Sequence, residues 1–138
     1  MRSILTATAA LLALAAPALA AGDAAKGEKQ FNKCKSCHML ETAEGEAIVK
    51  GGKVGPNLYG VIGRAAASVE GFRYGDSIAA AGAAGLVWDE ENLATYVADP
   101  TAFLRETLGD DSARSKMSFK LRKGGEDVAA YLASVAAQ

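Results

Sequence analysis

Both cysteines and the single histidine of this 138-residue chain fall inside one pentapeptide, Cys34-Lys35-Ser36-Cys37-His38. Two thiols at this spacing, with an imidazole directly after the second, form the attachment pattern of a c-type haem. Each thiol can add to one vinyl group of the porphyrin, and the same segment then presents the His38 imidazole to one axial face of the iron. So large an apolar ring belongs at the centre of a core. Three other chemistries compete for the pentapeptide. A zinc site takes four protein ligands, or three when it is open for catalysis. Beyond Cys34, Cys37 and His38 this chain could add only carboxylates, and three near-contiguous ligands close a tetrahedron poorly. A thioredoxin-like dithiol requires a βαβ setting, and no strand pattern is evident. A disulfide across two residues leaves His38 without a role. Haem attachment gives each of the three side chains a role at the spacing they have.

A six-coordinate iron needs a second ligand opposite His38. No other histidine exists, so the candidates are the three methionines. Met1 belongs to the N-terminal leader described below, and Met39 follows His38 too closely to swing to the far face. Met117 remains, in a segment that could fold over the ring. Methionines often serve as gap fillers in cores, but His/Met ligation is a standard haem arrangement. The alternative is a five-coordinate iron open to small ligands.

The elements that must position these residues follow from patterning. Arg2 gives a short positive start, residues 4–16 are apolar, and Ala18-Leu19-Ala20 is an A-x-A cleavage signal. Residues 1–20 therefore read as a secretory signal peptide cleaved after Ala20, or after Ala21, and 21–138 as one domain. The apolar run is short for a membrane span, so the mature chain is expected to be exported and not membrane-embedded. With Arg2 gone, 14 basic residues face 16 acidic ones, a net charge of −2. That balance argues against nucleic acid as a partner.

The rest reads as all-α: about five helices separated by glycine-rich loops. Asp23 caps a first helix running from about Ala24 into the haem motif, with Gly27 and Phe31 on one face. Residues 40–55 are polar and glycine-rich and read as loop. Asp76 caps a short helix that stops at Gly82. Asp89 caps a helix with Leu93, Tyr96 and Val97 inside. Asp99 and Pro100 fit the cap and first position of the next, which buries Phe103, Leu104 and Leu108 and leaves at Gly109. Residues 110–125 form a long charged loop around Met117. The last helix begins near Glu126, with Val128, Tyr131, Leu132 and Val135 at helical spacing, and suits a close crossing with the first.

Taken in order, these residues resemble the class I c-type cytochromes, and within them the bacterial cytochrome c2 group. The matching features are Gly27 and Phe31 ahead of the haem motif, Gly55-Pro56-Asn57-Leu58-Tyr59-Gly60, Gly63-Arg64, Phe72-Arg73-Tyr74, Trp88, Tyr96, Asp99-Pro100, Lys116-Met117-Ser118-Phe119 and Tyr131-Leu132. They span essentially the whole mature chain. The resemblance implies a small class I cytochrome c fold wrapped around one covalent haem c, with Cys34 and Cys37 as attachment points and His38 and Met117 as axial ligands. It implies that the Pro56 carbonyl fixes the His38 ring, that Tyr74 and Trp88 donate to a haem propionate whose charge Arg64 offsets, and that Tyr96 reaches the Met117 sulfur. Two segments are longer than in the short members: 39–55, with Glu41, Glu44 and Glu46, and 101–116, with Asp110 and Asp111.

The function implied is that of a monomeric electron carrier of the periplasm, not an enzyme. Its partners would be a cytochrome bc complex upstream and a photosynthetic reaction centre or terminal oxidase downstream. Lys33, Lys35, Lys53, Lys116, Lys120, Arg122 and Lys123 lie in the segments that must converge on the haem, and are expected to ring its exposed edge as a docking surface. Thr101 departs from many relatives, which carry a lysine there. A peroxidase-like enzyme would need a distal acid–base group, and the only histidine is already used. A gas-binding module would need Met117 labile or absent.

Overall fold

The computed structural model describes residues 22–137, and the leader expected at residues 1–20 lies outside them. The described chain is five helices and one short hairpin: α1 (Ala24–Phe31), β1 (Leu40–Glu41), β2 (Ala47–Val49), α2 (Asp76–Ala83), α3 (Glu90–Ala98), α4 (Pro100–Leu108) and α5 (Gly125–Ala136). None of the described helices is long and apolar enough to cross a membrane.

The start of α1 is set by Asp23, whose carboxylate accepts from the N–H groups of Ala25 and Lys26 at 3.0 and 3.1 Å, satisfying donors that have no partner inside the helix. The helix stops at Phe31 rather than continuing into the haem motif. The chain then runs on as hydrogen-bonded turns in which the N–H groups of Cys37 and His38 both reach the Cys34 carbonyl, at 3.1 and 2.9 Å. Helix α1 crosses α5 closely. At Gly27 an added Cβ would run into the Asp127 carbonyl and come within 2.8 Å of Tyr131 Cβ. Beside this contact Phe31 packs on Tyr131, with ring centroids 5.7 Å apart.

Helices α3 and α4 share a corner. A reciprocal capping box opens α3, with Asn92 N–H donating to Asp89 Oδ1 at 2.7 Å and Asp89 N–H to Asn92 Oδ1 at 2.9 Å. Asp99 is extended and caps α4 through Ala102 N–H at 3.1 Å, Pro100 occupies the first turn, and Gly109 ends the helix at φ 60°. The other Asp99 oxygen meets Lys120 Nζ at 2.8 Å. The Lys120 ammonium and the Ala102 N–H together hold the Asp99 carboxyl below its ordinary value. Because the folded-state value is the lower one, this contribution is present at neutral pH and fades as acid protonates the group. Asp99→Ala is expected to lower the urea midpoint by removing both cap and ion pair, whereas Asp99→Asn, which keeps a good cap, loses only the ion pair. Equal losses in the two variants would show that the cap contributes nothing.

Two expectations from the sequence are corrected. Asp76 does not cap α2; Gly75 holds the cap position with no side-chain hydrogen bond, and the helix passes Gly82 to end at Ala83. Gly82 marks a close approach instead of a stop, since a Cβ there would meet the Ala66 carbonyl. The segment read as loop over 40–55 contains the β1–β2 hairpin, paired antiparallel as Leu40 with Val49 and Glu41 with Ala47. Strands of two and three residues are too short to show alternation. Asn57 completes the outer edge from 16 residues away, its Oδ1 accepting from Glu41 N–H at 3.1 Å and its Nδ2 donating to Glu41 O at 2.7 Å.

Candidate haem site

A single cavity of ≈ 410 Å³ gathers the residues singled out above, being lined by Cys34, Cys37, His38, Pro56, Arg64, Tyr74, Trp88, Tyr96 and Met117. Three chain segments converge on it: the haem motif after α1, the turn at 54–58, and the stretch 114–119 between α4 and α5. Apolar side chains make up much of the remaining wall, with Val61, Ile78, Leu93, Val128 and Leu132 among them. The volume lies in the roughly 300–1,000 Å³ range of small-molecule sites. Met39 does not line it.

The donor set fits a covalent haem. Cys34 and Cys37 are free thiols on the cavity wall. Burial pushes the Cys34 thiol up, Cys37 adds to the shift, and Lys33 opposes it. His38 is buried, and its Nδ1 lies 2.8 Å from the Pro56 carbonyl. A carbonyl can only accept, so Nδ1 carries the hydrogen and Nε2 keeps a free lone pair. Burial holds the His38 pKa down and so favours this neutral, ligating form, although the bond to Pro56 partly counters the shift. Gly55 makes the arrangement possible, because a Cβ there would collide with the His38 ring. Among the described residues no group of three or more His, Cys, Asp and Glu side chains converges to hold a metal ion, so the zinc alternative lacks its ligands.

Polar groups around the cavity are partly committed to the protein. Arg64 donates to the carbonyls of Tyr59 and Asn57 at 3.2 and 3.0 Å. Burial lowers its pKa, with Tyr74 opposing, but a guanidinium stays charged. The Tyr74 hydroxyl accepts from Val69 N–H at 3.0 Å, so its own hydrogen remains to be donated. Trp88 is buried between Tyr96 and Phe103, with centroids 5.0 and 5.9 Å away. The resemblance implies that Tyr96 reaches the Met117 sulfur. Its hydroxyl instead pairs with Ser115 Oγ at 3.3 Å, and burial raises its pKa against the smaller effect of that bond.

The basic residues separate into groups. Lys33 and Lys116 line the cavity and are exposed; Lys35, Lys53, Arg122 and Lys123 are exposed but do not line it. Lys116 Nζ is 3.5 Å from the Tyr74 carbonyl, and Lys120 is tied to Asp99. Two basic residues absent from the expected ring, Arg73 and Arg114, also line the cavity. Arg73 could have been suspected from its place between Phe72 and Tyr74, whereas Arg114 sits in a loop without a motif. Val54 and Phe119, 78% and 44% exposed, add apolar surface to this face.

Comparison with known proteins gives a consistent result. The chain is 63% identical over 133 residues to cytochrome c2 of Rhodobacter capsulatus, covering 96% of both chains. It is 64% identical over 121 residues to cytochrome c-551 of Roseobacter denitrificans, covering 88% of this chain and 86% of that protein. The solved structure of Rhodobacter capsulatus cytochrome c2 superposes with a TM-score of 0.82 at 64% identity, covering 83% of this chain and 98% of that one. No protein-family model matches the chain.

Proposed function

The chain belongs to the class I c-type cytochromes, in the cytochrome c2 group, and from that premise we propose that it is a soluble periplasmic carrier between membrane redox complexes. As a member of the group it is an electron-transfer protein, not an enzyme, and carries one covalent haem c. The proposal adds the address and the partners. Residues 1–20 direct export and are removed; a cytochrome bc complex supplies electrons, and a photosynthetic reaction centre or terminal oxidase takes them. The observation that carries the reading is that Cys34, Cys37, His38 and Met117 line one apolar cavity with basic residues at its edge.

Cys34 and Cys37 would tether the ring through thioether bonds, each thiol giving its sulfur to one vinyl carbon and its hydrogen to the other. The group supplies one-electron exchange between ferrous and ferric iron. His38 would give Nε2 to the iron, with Pro56 holding its other nitrogen, and Met117 would give its thioether. Tyr74 and Trp88 would donate towards the propionates, and Arg64 would offset their charge. The apolar walls keep water away. Keeping both ligands in place limits what must reorganise at each transfer. A thioether ligand and apolar burial together push the potential towards the upper part of the roughly 0.8 V range of haem proteins.

Docking is read from charge. Lys33, Lys35, Lys53, Lys116, Lys120, Arg122 and Lys123 form the face offered to acidic partner surfaces. Lys33 and Lys116 are its centre because they also line the cavity. Lys120 contributes least, since Asp99 already neutralises it. Reversing Lys33 and Lys116 together to Glu is expected to slow electron uptake from purified cytochrome bc complex roughly tenfold at low ionic strength, within the ~10–10³-fold reach of electrostatic steering. The defect should shrink as salt rises, with the potential unchanged. Lys26→Glu is the control: Lys26 lies on α1 beside Asp23, 3.8 Å away. An equal response there would leave only a net-charge effect and sink the docking assignment.

A further inference from the structure

Residues 110–124 carry Met117 and contain neither helix nor strand, so bonds to neighbouring elements set their shape. Ser115 is where those bonds meet. Its N–H donates to Thr101 Oγ1 on α4 at 3.2 Å. Its Oγ accepts from Met117 N–H at 3.1 Å and lies 3.3 Å from the Tyr96 hydroxyl on α3. Tyr96 is buried and Ser115 half-buried, so water competes poorly for these contacts. Other ties anchor the flanks without reaching Met117, among them Arg114 N–H to Ser77 Oγ at 3.0 Å, Arg105 Nε to the Ala113 carbonyl at 3.2 Å, and Leu121 N–H to the Val97 carbonyl at 2.7 Å.

We propose that Ser115, held by Thr101 and Tyr96, is a positioning residue that presents Met117 to the cavity and sets how readily another ligand displaces it. This rests on Met117 being the second axial ligand. A thioether is a neutral, modest donor, so its hold on oxidised iron depends on how little must be ordered when it binds. Backbone ordering costs free energy for every residue fixed. A Met117 backbone already bonded to Ser115 has met that cost during folding. Thr101 acquires a role here that its substitution for a docking lysine does not suggest: its hydroxyl fastens Ser115 to the first turn of α4.

The test is imidazole titration of the oxidised, haem-loaded protein, read from the absorption spectrum, with urea unfolding measured alongside. Ser115→Ala and Thr101→Val are each expected to raise imidazole affinity about five- to tenfold, the effect of one ordinary hydrogen bond. Ser115→Thr and Thr101→Ser, which keep the hydroxyls, should restore it. Thr95→Ala removes a 3.0 Å bond to the Glu91 carbonyl on the exposed side of α3 and should leave affinity unchanged. A merely structural role would lower the urea midpoint without changing imidazole affinity, and that result overturns the proposal. So does an equal rise in Thr95→Ala, or failure of both restoring variants. Met117→Ala separates the two layers. If it leaves imidazole affinity unchanged, the ligand assignment itself fails; if it raises affinity far more than the others while Ser115→Ala and Thr101→Val do not respond, only the positioning role falls.

Discussion

Met117→Ala, in the haem-loaded protein, is expected to abolish the weak sulfur-to-iron band at the red end of the oxidised spectrum. It should also lower the potential by on the order of a few tenths of a volt, a substantial part of the roughly 0.8 V that axial ligation spans. Carbon monoxide and cyanide, which bind slowly or not at all to a closed six-coordinate iron, should then bind fast. The expectation rests on placement: of the two methionines among the described residues, Met117 lines the cavity with His38, and Met39 does not. Met39 only offers its carbonyl to Leu58 N–H, at 3.1 Å. Met39→Ala should therefore leave band, potential and ligand binding as they were. Loss of the band in the Met39 variant, or its survival in Met117→Ala, would show the assignment to be wrong. Fast binding of carbon monoxide to the unaltered protein would point instead to a gas-binding site.

Gly27→Ala should destabilise the protein, although helix propensity alone says the opposite. In an isolated helix the change gains about 0.8–1.0 kcal/mol. In this fold the new methyl meets the Asp127 carbonyl and the Tyr131 Cβ, neither of which can rotate away. Overpacking of that kind costs about 1–3 kcal/mol, and more where backbone must move. The cost wins because α1 and α5 can separate only by losing the contact between Phe31 and Tyr131. We expect Tm to fall by roughly 5–15 °C, at about 4–8 °C per kcal/mol for a domain near this size, with little change in the haem spectrum. Ala25→Gly is the complementary control. Ala25 is exposed on α1, and its loss should cost about 0.5–1 kcal/mol by propensity alone. Stability equal to or above that of the parent in Gly27→Ala would mean that the crossing is looser than the structure has it.

Local signals were legible wherever a residue acts on its immediate neighbours. Asp23, Asp89 and Asp99 announce helix starts because a short carboxylate can reach an N–H two or three residues ahead, whatever the rest of the fold does. Asp76 misled for the same reason: the residue type permits a cap, but Asp76 is itself the first residue of the helix and the cap position falls to Gly75. The hairpin at Leu40–Val49 was invisible because its strands are brief and its edge is closed by a side-chain amide from outside the segment. Lysine positions were legible, but their availability was not. Lys120 reads like Lys116 until Asp99 is found 2.8 Å from its ammonium.

What the sequence determines by itself is the chemistry that covalent spacing imposes. Cys34, Cys37 and His38 sit close enough along the chain that one turn brings them together, so haem attachment, and with the ordered motifs the family, could be read before any fold was known. The tertiary structure decided what depends on distant segments meeting. Pro56 orients His38 from 18 residues away. Thr101 and Tyr96, 14 and 19 residues before Ser115, fasten the loop that carries Met117. Hydrogen bonds act over about 3 Å, while the chain between such partners can take many paths. Only the packing of α3, α4 and α5 around the cavity selects the path that brings them within reach.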